Sequence, residues 1–344
     1  VPVGVAAYYQ ERLIRLKPRL QFSDIRMLPI TKYYQEGSPP MTTTPMTDVN
    51  RRHDFLLLFD VMDGNPNGDP DAGNLPRVDP ETMQGLVTDV ALKRKVRDWV
   101  DLAHGAEERY KIYVQSGEAL ITKHKRAYAA KELTSTGAKQ KAEDVAIARA
   151  WMCENFYDIR MFGAVMSVGV NCGQVRGPIQ LTFARSIDQI VPLDLAITRV
   201  AVTREEDAQV VVAEDGGETS GKQTEMGRKA LVPYGLYRAH GFFNPHFARQ
   251  TGVTEEDLAR FWQALQHMWD VDRSAARGML ACRGLYVFSH ASSLGNAPAH
   301  TLFERMQIAR NADVPAPRSF QDYTVTVHTT DLPDDITLTT LVGA

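Results

Sequence analysis

Apolar positions are densest just after Asp54, where Phe55-Leu-Leu-Leu-Phe-Asp-Val-Met62 forms a nearly unbroken run of strand length. Uniform hydrophobicity over so few residues predicts a strand covered on both faces and central in its sheet. Further along, Thr88 or Asp89 is placed to cap a helix whose apolar stripe is Leu92, Val96, Trp99, Val100 and Ala103. A second helix is expected around Lys141 to Phe156. A third follows Thr254, which makes a capping box with Asp257 ahead of Leu258, Phe261, Trp262, Leu265, Met268 and Trp269.

β-Branched and aromatic stretches between turn signals predict strands at 179–184, 197–203, 209–213, 234–243, 284–290 and 323–329. The polar, Gly-rich segment Glu214 to Gln223 reads as the mobile tip of an inserted hairpin. No internal repeat is detected, which argues against a solenoid. The coarse result is an α+β sheet domain with long insertions. Residues 1–53 read as an N-terminal extension and linker, and 54–344 as a single domain. Val1 to Pro40 carries Arg12, Arg15, Lys17 and Arg19. It reads as an appendage: a short helix, an extension from initiation upstream of Met41 and Met46, or a tail that docks on a partner.

Composition narrows the class. The chain has 344 residues, 44% hydrophobic and 24% charged, as ordinary globular domains do. No apolar run approaches membrane-spanning length and no signal peptide is visible, so a cytoplasmic location is expected, with no membrane partner. Cys153, Cys172 and Cys282 are too scattered for a disulfide framework or a zinc ribbon. Lys and Arg number 39 against 42 Asp and Glu, a net charge of -3, which excludes a uniformly basic coat but leaves room for a segregated basic groove.

Candidate chemistry lies at four places. The loop Asp63 to Asn74 puts Asp63, Asn65, Asn67, Gly68, Asp69 and Asp71 on an EF-hand template, but Asn74 stands where a bidentate Glu should close the cage and Pro66 stiffens the middle. A turn of residues that tolerate left-handed backbone is the simpler reading. On the first helix, Lys93 and Arg97 share a face, Arg94 points away from the core and Lys95 lies on the other flank, an arrangement suited to phosphate. Arg160 to Gln180 holds Gly163, Gly169, Gly173 and Gly177 beside Arg176, in neither a Walker A nor a dinucleotide pattern. It fits packing glycines and an RNA-contacting loop equally. Met226-Gly-Arg-Lys229 sets an apolar wedge beside two cations on the return of the hairpin. His240 and His246 lack zincin spacing, and no hydrolase elbow occurs.

In order and spacing, LLFDVMDGNPNGDPDAGNLPRVDPET, GLVTDVALKRKVRDWV, MFGAV with GQVRGPIQLTFARSID, and MGRKALVPYGLYRAHGFFNP resemble the backbone subunits of type I-C CRISPR Cascade, over about Asp54 to Met306. The resemblance implies the RAMP superfamily: a modified RRM or ferredoxin-like palm with inserted finger segments and a β-hairpin thumb, here at about 199–232. It further implies a non-catalytic, cofactor-free protomer that binds CRISPR RNA and stacks head to tail with copies of itself as a helical filament. Such a protomer kinks the guide and presents it to a target DNA strand in antiviral defence, beside the crRNA-processing, large and small Cascade subunits. Carried over by residue, Lys93, Arg94 and Arg97 would meet guide phosphates. Arg160, Gly163, Arg176, Gly177 and Gln180 would line the palm, and Met226, Arg228 and Lys229 would belong to the thumb. The competing expectation is a metal-dependent endoribonuclease of the type III kind, using Asp60, Asp63, Asp69 or Asp71.

Overall fold

Every side chain from His53 to Val61 is buried, so the apolar run forms strand β1 (His53–Gly64) with both faces covered. The structure is a computed structural model and is described for residues 44–136, 140–204, 211–212, 218–219 and 224–343. β1 lies between β6 (Glu225–Phe243) and β7 (Met279–His290), antiparallel to both. Beyond β7 comes β10 (Ile336–Val342). Beyond β6 come β4 (Ala184–Gln189) and then β2 (Gln84–Val87). β3 (Ile179–Leu181) pairs with the C-terminal end of β6, and β5 (Leu193–Arg199) with its N-terminal end. The sheet is antiparallel at every pairing, and residues 42–344 form one compact unit.

Strand alternation sorts β1 onto two cores. Phe55, Leu57, Phe59 and Val61 face helices α1 (Asp89–His104) and α6 (Glu255–Val271). Phe59 stacks between Tyr237 and Trp269, with centroids 5.3 and 4.6 Å away. Leu56 and Leu58 face the other way, with Leu236, Tyr286 and Phe288, onto α7 (Ala299–Phe303) and the ribbon β8 (Met306–Arg310) with β9 (Tyr323–Val327). A third core joins α2 (Leu120–Ala130), α3 (Ala142–Asn155) and α4 (Tyr157–Phe162) through Ala127, Met152, Phe156 and Ile159. Short α5 (Pro245–Thr251) follows β6 directly.

The helix starts follow local chemistry. Thr88 Oγ1 accepts from the Ala91 amide at the head of α1. At α6, Thr254 Oγ1 accepts from the Asp257 amide while the Asp257 carboxylate accepts from the Thr254 amide, a complete capping box. Ahead of β1, the Trp262 indole donates to the Met46 carbonyl, tying the 3₁₀ turn Pro45–Thr47 to the body. The Val1 to Pro40 segment lies outside the described residues.

Several features differ from the sequence pattern. β5 begins at Leu193 rather than Ile197, because its apolar positions alternate with Asp194 and Ala196 and both faces stay open. β6 runs unbroken through Pro233, so the hairpin return and the central strand are one element. α2, α4, α5, α7, β2, β8 and β10 have no counterpart among the expected elements, and the strand expected at 179–184 is two, β3 and β4. Lys95 does not flank the helix on its surface: it is buried in contact with Asp272, over the Trp269 ring. Of the expected hairpin tip, Glu218–Thr219 pairs with Val211–Val212, and its other residues lie outside the described ones.

Candidate nucleic-acid interface

The cations of α1 divide by partner. Lys93 Nζ bonds the Asp89 carboxylate at 2.8 Å, one helical turn away. Arg97 Nε bonds the buried Asp158 at 2.7 Å, and Lys93 and Arg97 both lie over the Phe162 ring. Asp158 also accepts from the Tyr113 and Val114 amides, so it anchors a loop as well as Arg97. Arg94 is different: its side chain is 70% exposed and only loosely paired with Asp98 at 3.5 Å. A surface pair of this kind holds its cation weakly and leaves it free to meet phosphate.

Arg160 lies inside the protein. Its side chain is fully buried and all its nitrogens are engaged: two bonds to Asp257, at 3.0 and 2.7 Å, and further bonds to the Cys153, Glu154 and Arg109 carbonyls. Burial alone would raise the Asp257 carboxyl, yet Arg160, the Thr254 amide and Arg109 hold it below the ordinary range. The geometry therefore makes Arg160 a buried tie between α4 and α6, since a guanidinium with no exposed surface faces no ligand.

Gly163 and Gly177 are packing glycines. A Cβ on Gly177 would sit 2.2 Å from the Phe162 carbonyl carbon, and one on Gly163, at φ 79°, would sit 2.4 Å from the Val175 oxygen. Their close approach closes the small ribbon Gly163–Val165 with Gln174–Arg176. Arg176 emerges from it exposed, its guanidinium 5.0 Å from the Phe247 centroid. Gln180 is exposed and donates to the Gly177 carbonyl at 3.2 Å. Phe162 thus links the α1 cations to the Gly-rich turn, uniting two places the sequence shows far apart.

The hairpin of β5 with the first part of β6 has two unlike faces. Registered pairs share a face: Met226 opposite Thr198, and Arg228 opposite Ala196, make one. Leu193, Leu195 and Ile197, with Gly227 and Lys229 across from them, make the other. Met226 is 78% exposed, and the Arg228 side chain is 79% exposed even while paired with Asp194 at 2.7 Å. Large apolar side chains standing in water beside an arginine are a chemical invitation to bases and phosphates. Sequence reading missed Leu193 and Leu195, although their alternation with Asp194 and Ala196 was the available signal.

Part of the aspartate loop is committed to structure, while the Asp63 and Asp71 side chains stay exposed. Asp60 is buried, accepting from Arg283 at 2.8 Å and Tyr234 at 3.1 Å; burial raises its pKa against the pull of Arg283. Asp69 accepts from the Asp71 amide and pairs with Arg77, while Asn65 and Asn67 bond the Asn74 carbonyl and the Thr88 amide. Asp63 and Asn74 take left-handed backbone, as a turn would require. Among the described residues, no group of three or more His, Cys, Asp or Glu side chains is gathered to hold a metal ion. No helix among them is long and apolar enough to cross a membrane.

Comparison with known proteins places these elements in a family. A curated CRISPR-associated protein Cas7 of Haloferax volcanii is 27% identical over 248 residues, which cover 64% of this chain and 66% of that protein. Among solved structures, a chain of a CRISPR RNA-guided surveillance complex described as pre-nicking is similar at 14% identity and TM-score 0.42, covering 69% of this chain and 78% of that one. A chain of a Type III-B Cmr-beta complex bound to cognate target RNA is similar at 10% identity and TM-score 0.35, covering 69% and 61%. The profile of the family described as CRISPR-associated protein Cas7 matches residues 51–328, from the residues just before β1 through the end of β9, and the chain belongs to that family.

Proposed function

We propose that the protein is a non-catalytic CRISPR RNA-binding backbone subunit of a type I-C Cascade complex. The sheet with α1 and α6 would serve as its RRM-like palm, and the β5–β6 hairpin as its thumb. The observation that carries this reading is the hairpin's exposed face, where Met226 stands beside Arg228 and both project into solvent. A thioether of that shape wedges between bases while the guanidinium grips a phosphate, a combination indifferent to base sequence. Arg94 and Arg176 would add phosphate contacts from the palm side, with Lys229 at the root of the thumb. Lys93 and Arg97 would act by holding α1 against Phe162, and through its backbone, more than by direct contact.

On this reading the guide supplies sequence specificity by base pairing with target DNA, while the protein supplies shape and charge. Copies stacked head to tail would follow the guide, since a heterologous contact that does not close builds a helical filament. The crRNA-processing, large and small subunits would complete the assembly. The test is to purify the full chain and its complex and read the absorbance ratio and the length of any bound RNA. Spacer-length RNA that survives washing supports the reading. Incubation with complementary RNA and Mg²⁺ tests the non-catalytic part: regular cuts abolished by Asp63→Ala would replace it with the nuclease reading.

A further inference from the structure

The second face of the sheet is only partly roofed. α7 and the β8–β9 ribbon cover Leu56, Leu58 and Leu236, and then leave a cleft of about 590 Å³ where β6 continues through Arg238, His240 and Phe242. Arg238 is half-buried, and among the described residues its guanidinium has no hydrogen-bond, ion-pair or ring partner. Its registered neighbour across the sheet is Arg185, so two arginines stand directly opposite on one face. Like charges so placed repel, and Arg185 already spends its charge on Asp79 at 2.7 Å. Arg238 is thus a cation in want of an anion.

The rest of the cleft is suited to a base more than to a bare anion. His240 stacks on Phe303 with centroids 4.4 Å apart, and its Nε2 is buried without a partner. Burial, with Arg238 beside it, lowers the His240 pKa to about 4, so the ring is neutral and offers a hydrogen-bonding edge without a second charge. Phe242 and Met306 supply apolar wall, Thr182 a hydroxyl, and Glu304 on the rim an acceptor that a free polyphosphate would avoid and an exocyclic amine would not.

We propose that this cleft binds one nucleotide of a single-stranded nucleic acid, its phosphate on Arg238 and its base against Phe242, Met306 and the His240 edge. The proposal rests on the RNA-binding reading for the source of the strand, and adds a contact further along β6, ten residues beyond Arg228 on the same strand. The cleft would capture a nucleotide turned out of the stacked guide or its paired strand.

The test is photo-crosslinking of the purified full chain to single-stranded RNA carrying 4-thiouridine, with crosslinked peptides mapped by mass spectrometry. Crosslinks to β6 between Arg238 and Phe242, or to Met306, are expected, alongside independent ones at Met226. Arg238→Gln should weaken the cleft crosslinks about tenfold, the scale of one lost charge-assisted hydrogen bond, and leave those at Met226 intact. Arg238→Lys, which keeps the charge and the fold, should lose less. Crosslinks at Met226 with none in the cleft of the wild-type chain overturn the proposal and leave the RNA-binding reading standing. Crosslinks nowhere overturn both. Inorganic phosphate and AMP, titrated as competitors, separate a plain anion site from a nucleotide site: competition by phosphate equal to that by AMP contradicts the base contacts, and a cleft that AMP cannot compete for contradicts the proposal.

Discussion

The α1–α4 region and the β5–β6 hairpin are both rich in arginine, and they use it oppositely. Arg97 and Arg160 turn inward onto Asp158 and Asp257, buried carboxylates that also receive backbone amides. Arg228 turns outward, held only by an exposed Asp194, beside an apolar side chain with nothing over it. A buried charge pair is a structural commitment, because removing one partner strands the other in a poorly polar interior. An exposed pair is worth little to the fold and exchanges readily for a phosphate. The difference teaches that cation density alone does not locate a nucleic-acid surface; the fate of each cation's partner does.

The largest expected effect tests the inward half of the comparison. Arg160→Leu should destabilise the fold by about 3–5 kcal/mol, because it removes the buried partner of Asp257, leaving that carboxylate only the half-exposed Arg109 as a charge partner, and takes the donor from the Cys153, Glu154 and Arg109 carbonyls. Urea unfolding of the pure protein checks this, and a loss below about 1 kcal/mol would mean that Arg160 is not a structural tie. Next in size is acid sensitivity. Burial lowers His53 to about 4 against the pull of the Asp48 carbonyl, and His240 lies at about the same value. Between pH 6.5 and about 4 the unfolded chain binds these protons more readily than the folded one, so stability is present above that window and lost as pH falls through it. The expected slope is at most about 1.4 kcal/mol per pH unit for each ring, and His53→Asn should flatten it.

Smaller still, and opposite in kind, is the effect of the outward half. Met226→Ala with Arg228→Ala should leave stability within about 0.5 kcal/mol, as exposed substitutions do, while changing how RNA is held. Nuclease footprints on the bound guide should lose their periodic sensitivity in Met226→Ala; an unchanged pattern would dissociate the hairpin from the kink.

How much of this could be read from the chain depends on the range of the interactions involved. β1, α1 and α6 were legible because their patterns and caps are local: an apolar run, a stripe at helical spacing, a Thr-to-Asp box. Arg97 and Arg160 were not, since their carboxylates lie 61 and 97 residues away and a sequence shows a cation without showing what will neutralise it. The same blindness made Lys95 look like a surface residue. Gly163 and Gly177 were legible as glycines needed for close approach, but the approaching chain is their own. On the β5–β6 hairpin, Met226 and Arg228 were visible as a wedge beside cations, whereas Leu193 and Leu195 were hidden by the polar residues between them. Arg238 became informative only once the register set it against Arg185.

The central claim is that the outward-facing hairpin, more than the buried cations, carries RNA. It is tested most directly by the salt dependence of single-stranded RNA binding for the wild-type chain, Arg228→Ala and Arg160→Lys, each shown to be folded at the temperature used. The account predicts that Arg228→Ala lowers the magnitude of the slope of log K against log salt by about 0.7, one phosphate contact on a single strand, and that Arg160→Lys leaves it unchanged. An unchanged slope for Arg228→Ala, or a reduced one for Arg160→Lys, would contradict it.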